Sequence, residues 1–409
     1  MDYLAAFKDI VSIMNIDYAG FADKCINANS YITELSKHSD DDTFFRIVTE
    51  YIREFHDRHV VLVPTSPKAS HYIGFHTRRF ENNLYVDFEP HDTRLHIGDA
   101  IVAIDNKPID KIAMRYAKSL DSIIERQDFS WILSNATCMT LKDDKTIPLK
   151  HFNKSHQPDE EFSYKVIHHN IGYAKLTNFT NTQAIDHFYD NHLADMLQQP
   201  NLIIDVRVNL GGADSNYFRL LETMVNKNCS YEEIAPKTGF KFNDTVRNQK
   251  NWDKQLRKIM SVVRDENVKA MMTTQLENLK AHVGQGLISM PDEDESINIS
   301  AHRNPRQVVV LTDNYCGSAG DTFVLVAQHL EKATIMGRNT MGVWDYANVA
   351  AQAYGDYTLY YPIMRADWLD DGKGINGVGV KPDIYIPWNP KMLTEDVDIQ
   401  HAIDFFSRK

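Results

Sequence analysis

A serine set among small residues, in Cys316-Gly317-Ser318-Ala319-Gly320-Asp321, is the part of this chain best suited to do chemistry. It follows the apolar run Val308-Val309-Val310-Leu311-Thr312 and precedes Thr322-Phe323-Val324-Leu325-Val326-Ala327. That pattern predicts a buried strand, a tight turn and a helix. A serine on such a turn sits at the mouth of a sheet, where the free N–H groups of the following helix can meet negative charge. Attack by a serine nucleophile creates an oxyanion, so this is the setting it needs. The same position suits a plain helix-capping serine, and the turn gains weight only from the segments around it. Cys316 is a rival nucleophile close by, although a cysteine that ends a strand usually serves as a small apolar residue.

Two further segments carry residues of the right type. Leu202-Ile203-Ile204-Asp205-Val206-Arg207-Val208-Asn209-Leu210-Gly211-Gly212 reads as a second buried strand ending in a polar, glycine-rich turn. Gly374-Ile375-Asn376-Gly377-Val378-Gly379-Val380-Lys381-Pro382-Asp383-Ile384 lies near the C-terminus. Together with the serine turn they resemble, in order, the D-L-R-x-N-x-G-G, G-S-A-G-[ED] and E-G-x-G-[VI]-x-P-D-[IV] segments of the tail-specific, or C-terminal-processing, serine peptidases and their tricorn-core relatives. Asp57-Arg58-His59-Val60 is similar to that family's D-x-H-[TV] junction, and Ile171-Gly172-Tyr173-Ala174-Lys175-Leu176 to its I-G-Y-[IA]-x-[LI] strand.

The resemblance implies an acyl-enzyme mechanism with Ser318 as nucleophile. Tail-specific proteases take their base from a lysine about 25 residues after the serine; Val343 stands at that place here. The tricorn-like branch uses the junction histidine, which implies His59 as base. Neutral imidazole can accept the serine proton near pH 7 and return it to the leaving amine. The family's supporting glutamate is replaced by Asn376, which can orient an imidazole but cannot neutralise imidazolium. Asp367, Asp370 and Asp371 are the alternatives for that third place, and Asn376 also suits a simple turn before Gly377. The implied oxyanion hole comes from the N–H groups of Gly211 or Gly212 and of Ala319, with Asp205, Arg207 and Asn209 bracing the glycine turn. Asp321 matches a family acid and reads as structural, in the first turn of a helix where a carboxylate is favoured.

These residues need elements to hold them. The expected fold class is α/β: a mixed sheet-and-helix catalytic core of tail-specific protease type over residues 159–409, preceded by an N-terminal helical segment over 1–56 and a PDZ-like β-rich domain over 57–158. Apolar residues recur at helical spacing in Leu4, Phe7, Ile10, Val11 and Met14, and in Phe44, Ile47, Val48 and Ile52. In the family such N-terminal helices sometimes serve dimerisation, so a homodimer is an expectation. Leu95 to Ile109 has a PDZ-like pattern, with Asp105-Asn106-Lys107 as a hairpin turn; such domains capture peptides on a sheet edge, although the pattern equally fits a closed β-domain. A helix is expected around 183–198, a strand over 202–208 and a helix from about 214 to 226. Residues 235–305 read as a helical insertion (Trp252, Leu256, Ile259, Met260 and Val263, then Val268, Met271, Met272, Leu276 and Leu279) that either caps the site or adds packing. The acidic stretches around Pro158-Asp159-Glu160-Glu161 and Pro291-Asp292-Glu293-Asp294-Glu295 read as loops.

Composition narrows the classes. A chain of 409 residues has room for two or three domains. The net charge of −12 argues against a basic nucleic-acid-binding face. No run of 18 apolar residues reads as a membrane span. The first residues lack the features of a signal peptide, which gives a cytoplasmic expectation, or an exported protein if a leader has been removed. Four cysteines, Cys25, Cys138, Cys229 and Cys316, make neither a metal pattern nor a disulfide scaffold. The expectation is a serine endopeptidase acting on protein or peptide substrates without metal or organic cofactor. The alternatives are a peptide- or ligand-binding protein on the same scaffold and an esterase-like hydrolase.

Overall fold

The structure is a computed structural model that describes residues 1–66, 69–152, 161–168, 170–261, 266–290 and 297–408. Most of the two acidic stretches, 158–160 and 291–295, lies outside the described residues.

The apolar runs at 202–204 and 308–311 become the centre of a six-stranded sheet. Its order is Ile384–Tyr385, Ala333–Gly337, Gln307–Thr312, Asn201–Asp205, Ile171–Leu176 and Phe162–Ile167. All neighbours are parallel except the last pair. Side chains alternate across a strand, and both faces are covered. Leu202, Ile204, Val308 and Val310 point to the face covered by helices Thr182–Met196 and Ala319–Gln328. Ile203, Val309 and Leu311 point to the C-terminal helix Val397–Ser407. Sheets buried on both faces read as continuous apolar runs, as these do.

Strand Asn201–Asp205 ends earlier than the expected 208, and the helix expected over 214–226 is broken. A 3-10 turn, Asp214–Tyr217, is followed by the short helix Phe218–Leu221. Leu220, Leu221, Met224 and Val225 are still buried on the serine-side core. The Thr223 hydroxyl donates to the Leu220 carbonyl at 2.7 Å, a local bond that competes with helix continuation.

The β-rich region, strands Thr77–Phe80, Asn83–Val86, Ala100–Ile104, Cys138–Leu141 and Thr146–Pro148, has a core of its own around Leu84, Ile101, Phe129, Leu133 and Met139. The expected hairpin turn is present: Asp105 and Asn106 have φ of 46° and 59°, the left-handed pair that a tight two-residue turn requires.

The N-terminal helices do not make a core by themselves. Phe7, Ile10, Phe44, Ile47, Val48 and Ile52 pack on Tyr346, Leu359, Tyr361 and Ile363. These belong to a second sheet in which Tyr357–Ala366 pairs with Val61–Pro64, Phe240–Asp244 and Tyr346–Tyr354. The apolar faces of these helices are therefore covered within the chain, and nothing in the described residues supports the homodimer that the resemblance implied. The 235–305 insertion is also more than helical. Its strands Phe240–Asp244 and Gly286–Ser289 pair with each other and extend this second sheet, and helices Val246–Met260 and Glu266–Lys280 lie between them in sequence.

A buried run of alternating charges ties these parts together. Arg78 of the β-rich sheet forks onto Asp313 at 2.9 and 2.8 Å. Arg338 bonds Asp313 at 2.6 Å and Asp398 at 2.7 and 2.8 Å. Arg207 bonds Asp398 at 3.0 Å, Asp396 at 2.7 Å and Asp205 at 2.7 Å. Burial pushes the Asp313 carboxyl up, but the Arg338 and Arg78 charges overcome it and hold it well below the carboxylate range. Its stabilising contribution is therefore present above the unfolded carboxylate pKa of about 3.9 and is lost as pH falls further. Arg338→Met leaves Asp313 to Arg78 and Asp398 to Arg207; a loss of about 3 kcal/mol in unfolding free energy, the low end for a broken buried pair, is expected at neutral pH, measured by denaturant titration against the parent chain.

Candidate active site

Ser318 stands between strand Gln307–Thr312 and helix Ala319–Gln328 with φ 58° and ψ −121°. A non-glycine residue seldom holds a positive φ, and such strain persists only where the surroundings over-determine it. Two buried side chains do that here. The Asp321 carboxylate accepts from the N–H groups of Ser318 at 2.9 Å, Gly342 at 2.9 Å and Val343 at 2.9 Å. Asn209 accepts the Gly317 N–H on its main-chain oxygen at 2.9 Å, accepts the Gly211 N–H on Oδ1 at 2.9 Å, and donates to the Leu176 carbonyl at 3.0 Å. Asp321 thus clamps the serine turn to the 342–343 loop, and Val343 is held there by its backbone.

The oxyanion donors divide. Gly211 was expected among them, but its N–H is committed to Asn209. Its role is close approach: a Cβ there would lie 2.5 Å from the Gly317 oxygen and 2.7 Å from Ser318 Cβ. The N–H groups of Ala319, at the open start of the helix, and of Gly212 meet no acceptor among the described residues. Asp205 accepts the Arg207 main-chain N–H at 3.1 Å and the Arg207 guanidinium at 2.9 and 2.7 Å, and their other partners, Tyr173, Asp396 and Asp398, fix the strand end to the C-terminal helix. Of the three, Asn209 is the one bonded to Gly211 itself.

Cys316 is fully buried, and burial pushes its thiol well above the ordinary range. A buried, protonated thiol does not compete with Ser318.

His59 is half-buried. Its Nδ1 lies 2.8 Å from the Tyr346 carbonyl oxygen and its N–H donates to Asp57 at 3.0 Å. A carbonyl only accepts, so Nδ1 carries the proton and Nε2 keeps its lone pair. His59 and Ser318 are not hydrogen-bonded to each other. Their loops are linked through Arg58, which donates to the Asn314 carbonyl at 3.3 Å.

Asn376 does not hold His59, since the Tyr346 carbonyl takes that place. Its Oδ1 accepts instead from Lys24 Nζ, and its N–H from the main chain reaches Asp345 at 2.6 Å. Nor do the alternative acids reach the histidine. Asp367 and Asp370 pair with Lys241 at 3.1 and 3.2 Å, and Asp371 with Lys373 at 3.0 Å. Sequence reasoning missed Lys24, the Tyr346 carbonyl and Arg126. Arg126, from the β-rich region, donates to the carbonyls of Thr340, Met341 and Gly377, the last two at 3.0 and 3.4 Å. None of the three belongs to a local motif, and a carbonyl has no residue-type signature at all. A cleft lined by Arg53, His56, Arg58, Arg126, Met341 and Gly377 opens where the three parts of the chain meet.

A sequence model of peptidase family S41 matches residues 170–386, more than half of the chain. The chain belongs to peptidase family S41. Its relatives include a tricorn-like protease subunit. The chain is 21% identical over 329 residues to a Sulfurisphaera tokodaii protein described as a tricorn-like protease C-terminal subunit; the match takes 80% of this chain and 31% of that protein. The chain therefore spans about a third of that relative's length. Mature CPAF, in a complex with lactacystin, has the same fold at TM-score 0.62 and 12% identity, covering 99% of this chain and 97% of its own. A protein of Parabacteroides merdae ATCC 43184 described as a peptidase follows at TM-score 0.50 and 14% identity, covering 99% and 96%.

The close approach at Gly211 yields a direct test. Gly211→Ala places a methyl against the serine turn at a φ of 83°. It should cost about 1–3 kcal/mol of stability and lower turnover roughly 100-fold by displacing Ser318. Thermal unfolding and initial rates on a peptide substrate measure the two effects; a variant with parental turnover would show that the contact does not shape the site.

Proposed function

We propose that this S41 chain hydrolyses peptide bonds of protein or peptide substrates through an acyl-enzyme on Ser318, with His59 as general base. The Ser318 proton passes to His59 Nε2 as Oγ bonds to the substrate carbonyl carbon. The carbonyl electron pair moves onto oxygen, where the Ala319 and Gly212 N–H groups receive it. The tetrahedral species then collapses, the C–N bond breaks, and the amine leaves with the proton from His59. Water, deprotonated by the same Nε2, repeats the sequence on the ester and frees Ser318.

The observation that carries the reading is the strained Ser318 at the start of its helix, with an unspent N–H on Ala319 beside it. Support for His59 comes from its tautomer, set by the Tyr346 carbonyl. The carbonyl dipole orients the base without cancelling the imidazolium charge, so stabilisation here is weaker than with a carboxylate. The missing His59–Ser318 hydrogen bond favours a second reading, a peptide-binding protein on the same scaffold. Catalytic hydrogen bonds often tighten only once substrate is present, so this geometry does not decide against catalysis.

Labelling by a fluorophosphonate probe separates the two readings, because it requires an activated serine. Ser318→Ala should abolish both labelling and peptide hydrolysis while the circular dichroism spectrum stays unchanged. His59→Ala should lower kcat by at least about 100-fold. An unlabelled parent chain that still binds peptides would establish the binder instead, and a fully active Ser318→Ala chain would remove the nucleophile assignment.

A further inference from the structure

Lys24 lies outside every motif that supports the proposed chemistry, yet its side chain reaches the middle of the site. Its Nζ donates to the Phe55 carbonyl at 2.7 Å and to Asn376 Oδ1, and stands 4.9 Å from the centroid of the Tyr346 ring. Phe55 opens the loop that leads to His59. Tyr346 supplies the carbonyl that takes the His59 Nδ1 proton. Asn376 belongs to the turn whose Ile375 and Asn376 N–H groups are gathered by Asp345 at 2.6 Å each. One ammonium therefore touches the segment that leads to His59, the residue whose carbonyl sets its tautomer, and the Asn376 turn.

Its setting is unusual for a lysine. Both oxygen acceptors are neutral, the third contact is a ring face, and among the described residues no carboxylate lies within ion-pair distance of Nζ. Enclosing an ammonium this way costs solvation free energy. Burial pushes the lysine pKa down, while Asp57, Asp345 and Asp23 oppose it from farther off. Asp57 also accepts from the Tyr18 hydroxyl, and Asp23 from the Tyr346 hydroxyl and Arg365.

Resting on the function proposed above, we infer that Lys24 is a positioning residue of the peptidase site: its ammonium holds the His59 loop, the Tyr346 carbonyl and the Asn376 turn in register, and places a positive charge beside the base. Asn376 is then the lysine's partner, a neutral acceptor where the resemblance led to a glutamate.

The test uses the full chain and three variants, with Ser318→Ala and His59→Ala as controls. Lys24→Met should lower kcat about 10- to 100-fold with KM changed less than about twofold. It should also move the acid limb of the kcat/KM profile upward by about half a pH unit, because loss of a neighbouring positive charge makes the base easier to protonate. A lysine that serves stability alone would lower the melting temperature and leave that limb in place. Asn376→Glu should move the limb the same way by placing a carboxylate against the ammonium, and Lys24→Met with Asn376→Glu should depart from the sum of the single effects. Parental kcat and an unmoved limb in Lys24→Met, with both controls inactive, would overturn the inference. Active controls would instead overturn the mechanism beneath it. Should the Lys24→Met chain fail to fold, the Asn376→Glu chain decides alone: a raised limb supports the inference and an unmoved one refutes it.

Discussion

The arrangement of the site depends on charges that have left water. Arg78, Asp313, Arg338, Asp398, Arg207 and Asp205 alternate in sign beneath the ends of the central strands. Each is costly to bury alone, and each is satisfied only when its neighbours are in place. The run therefore specifies one mutual arrangement of the β-rich sheet, the serine-bearing sheet and the C-terminal helix, more than it adds stability. Asp313 sits one residue beyond strand Gln307–Thr312, so the path that leads to Ser318 starts from the best-anchored point in the chain.

From that anchor the site is built mostly of backbone. Asn209 and Asp321 are two buried residues that gather N–H groups from neighbouring loops, Asp321 with its carboxylate alone and Asn209 with its side-chain and main-chain oxygens together. The Met341 N–H, which reaches the Cys316 carbonyl at 2.6 Å, adds a third tie between the same loops. Turns held this way are fixed before any ligand arrives. The residues that hold them never need to touch a substrate.

The sequence made the backbone part of this legible and left the side-chain partnerships hidden. Unbroken apolar runs at 202–204 and 308–311 announced strands covered on both faces, and Asp105-Asn106 announced a turn that needs two left-handed residues. Ser318, Gly211 and Asp321 stood at the turns that those runs forced. Asn376 was read for the partner its position suggested, because the lysine that reaches it is 352 positions away. Gly211 was read as a donor because nothing local reveals that Asn209 Oδ1 takes its N–H. The N-terminal helices looked self-contained for the same reason: their periodicity shows an apolar face but not which strands cover it.

Those long separations bear on how the protein comes into being. His59 takes its tautomer from a carbonyl 287 positions downstream, and the strand that follows it, Val61–Pro64, pairs with residues 357–360. A chain still emerging from the ribosome has its N-terminal helices and its histidine, but neither the sheet that covers the helices nor the group that fixes the imidazole. Contacts of such high sequence separation form late. The nascent chain therefore carries Ser318 and His59 well before the arrangement around them exists, and that arrangement is complete only once synthesis has passed the last strand of the second sheet.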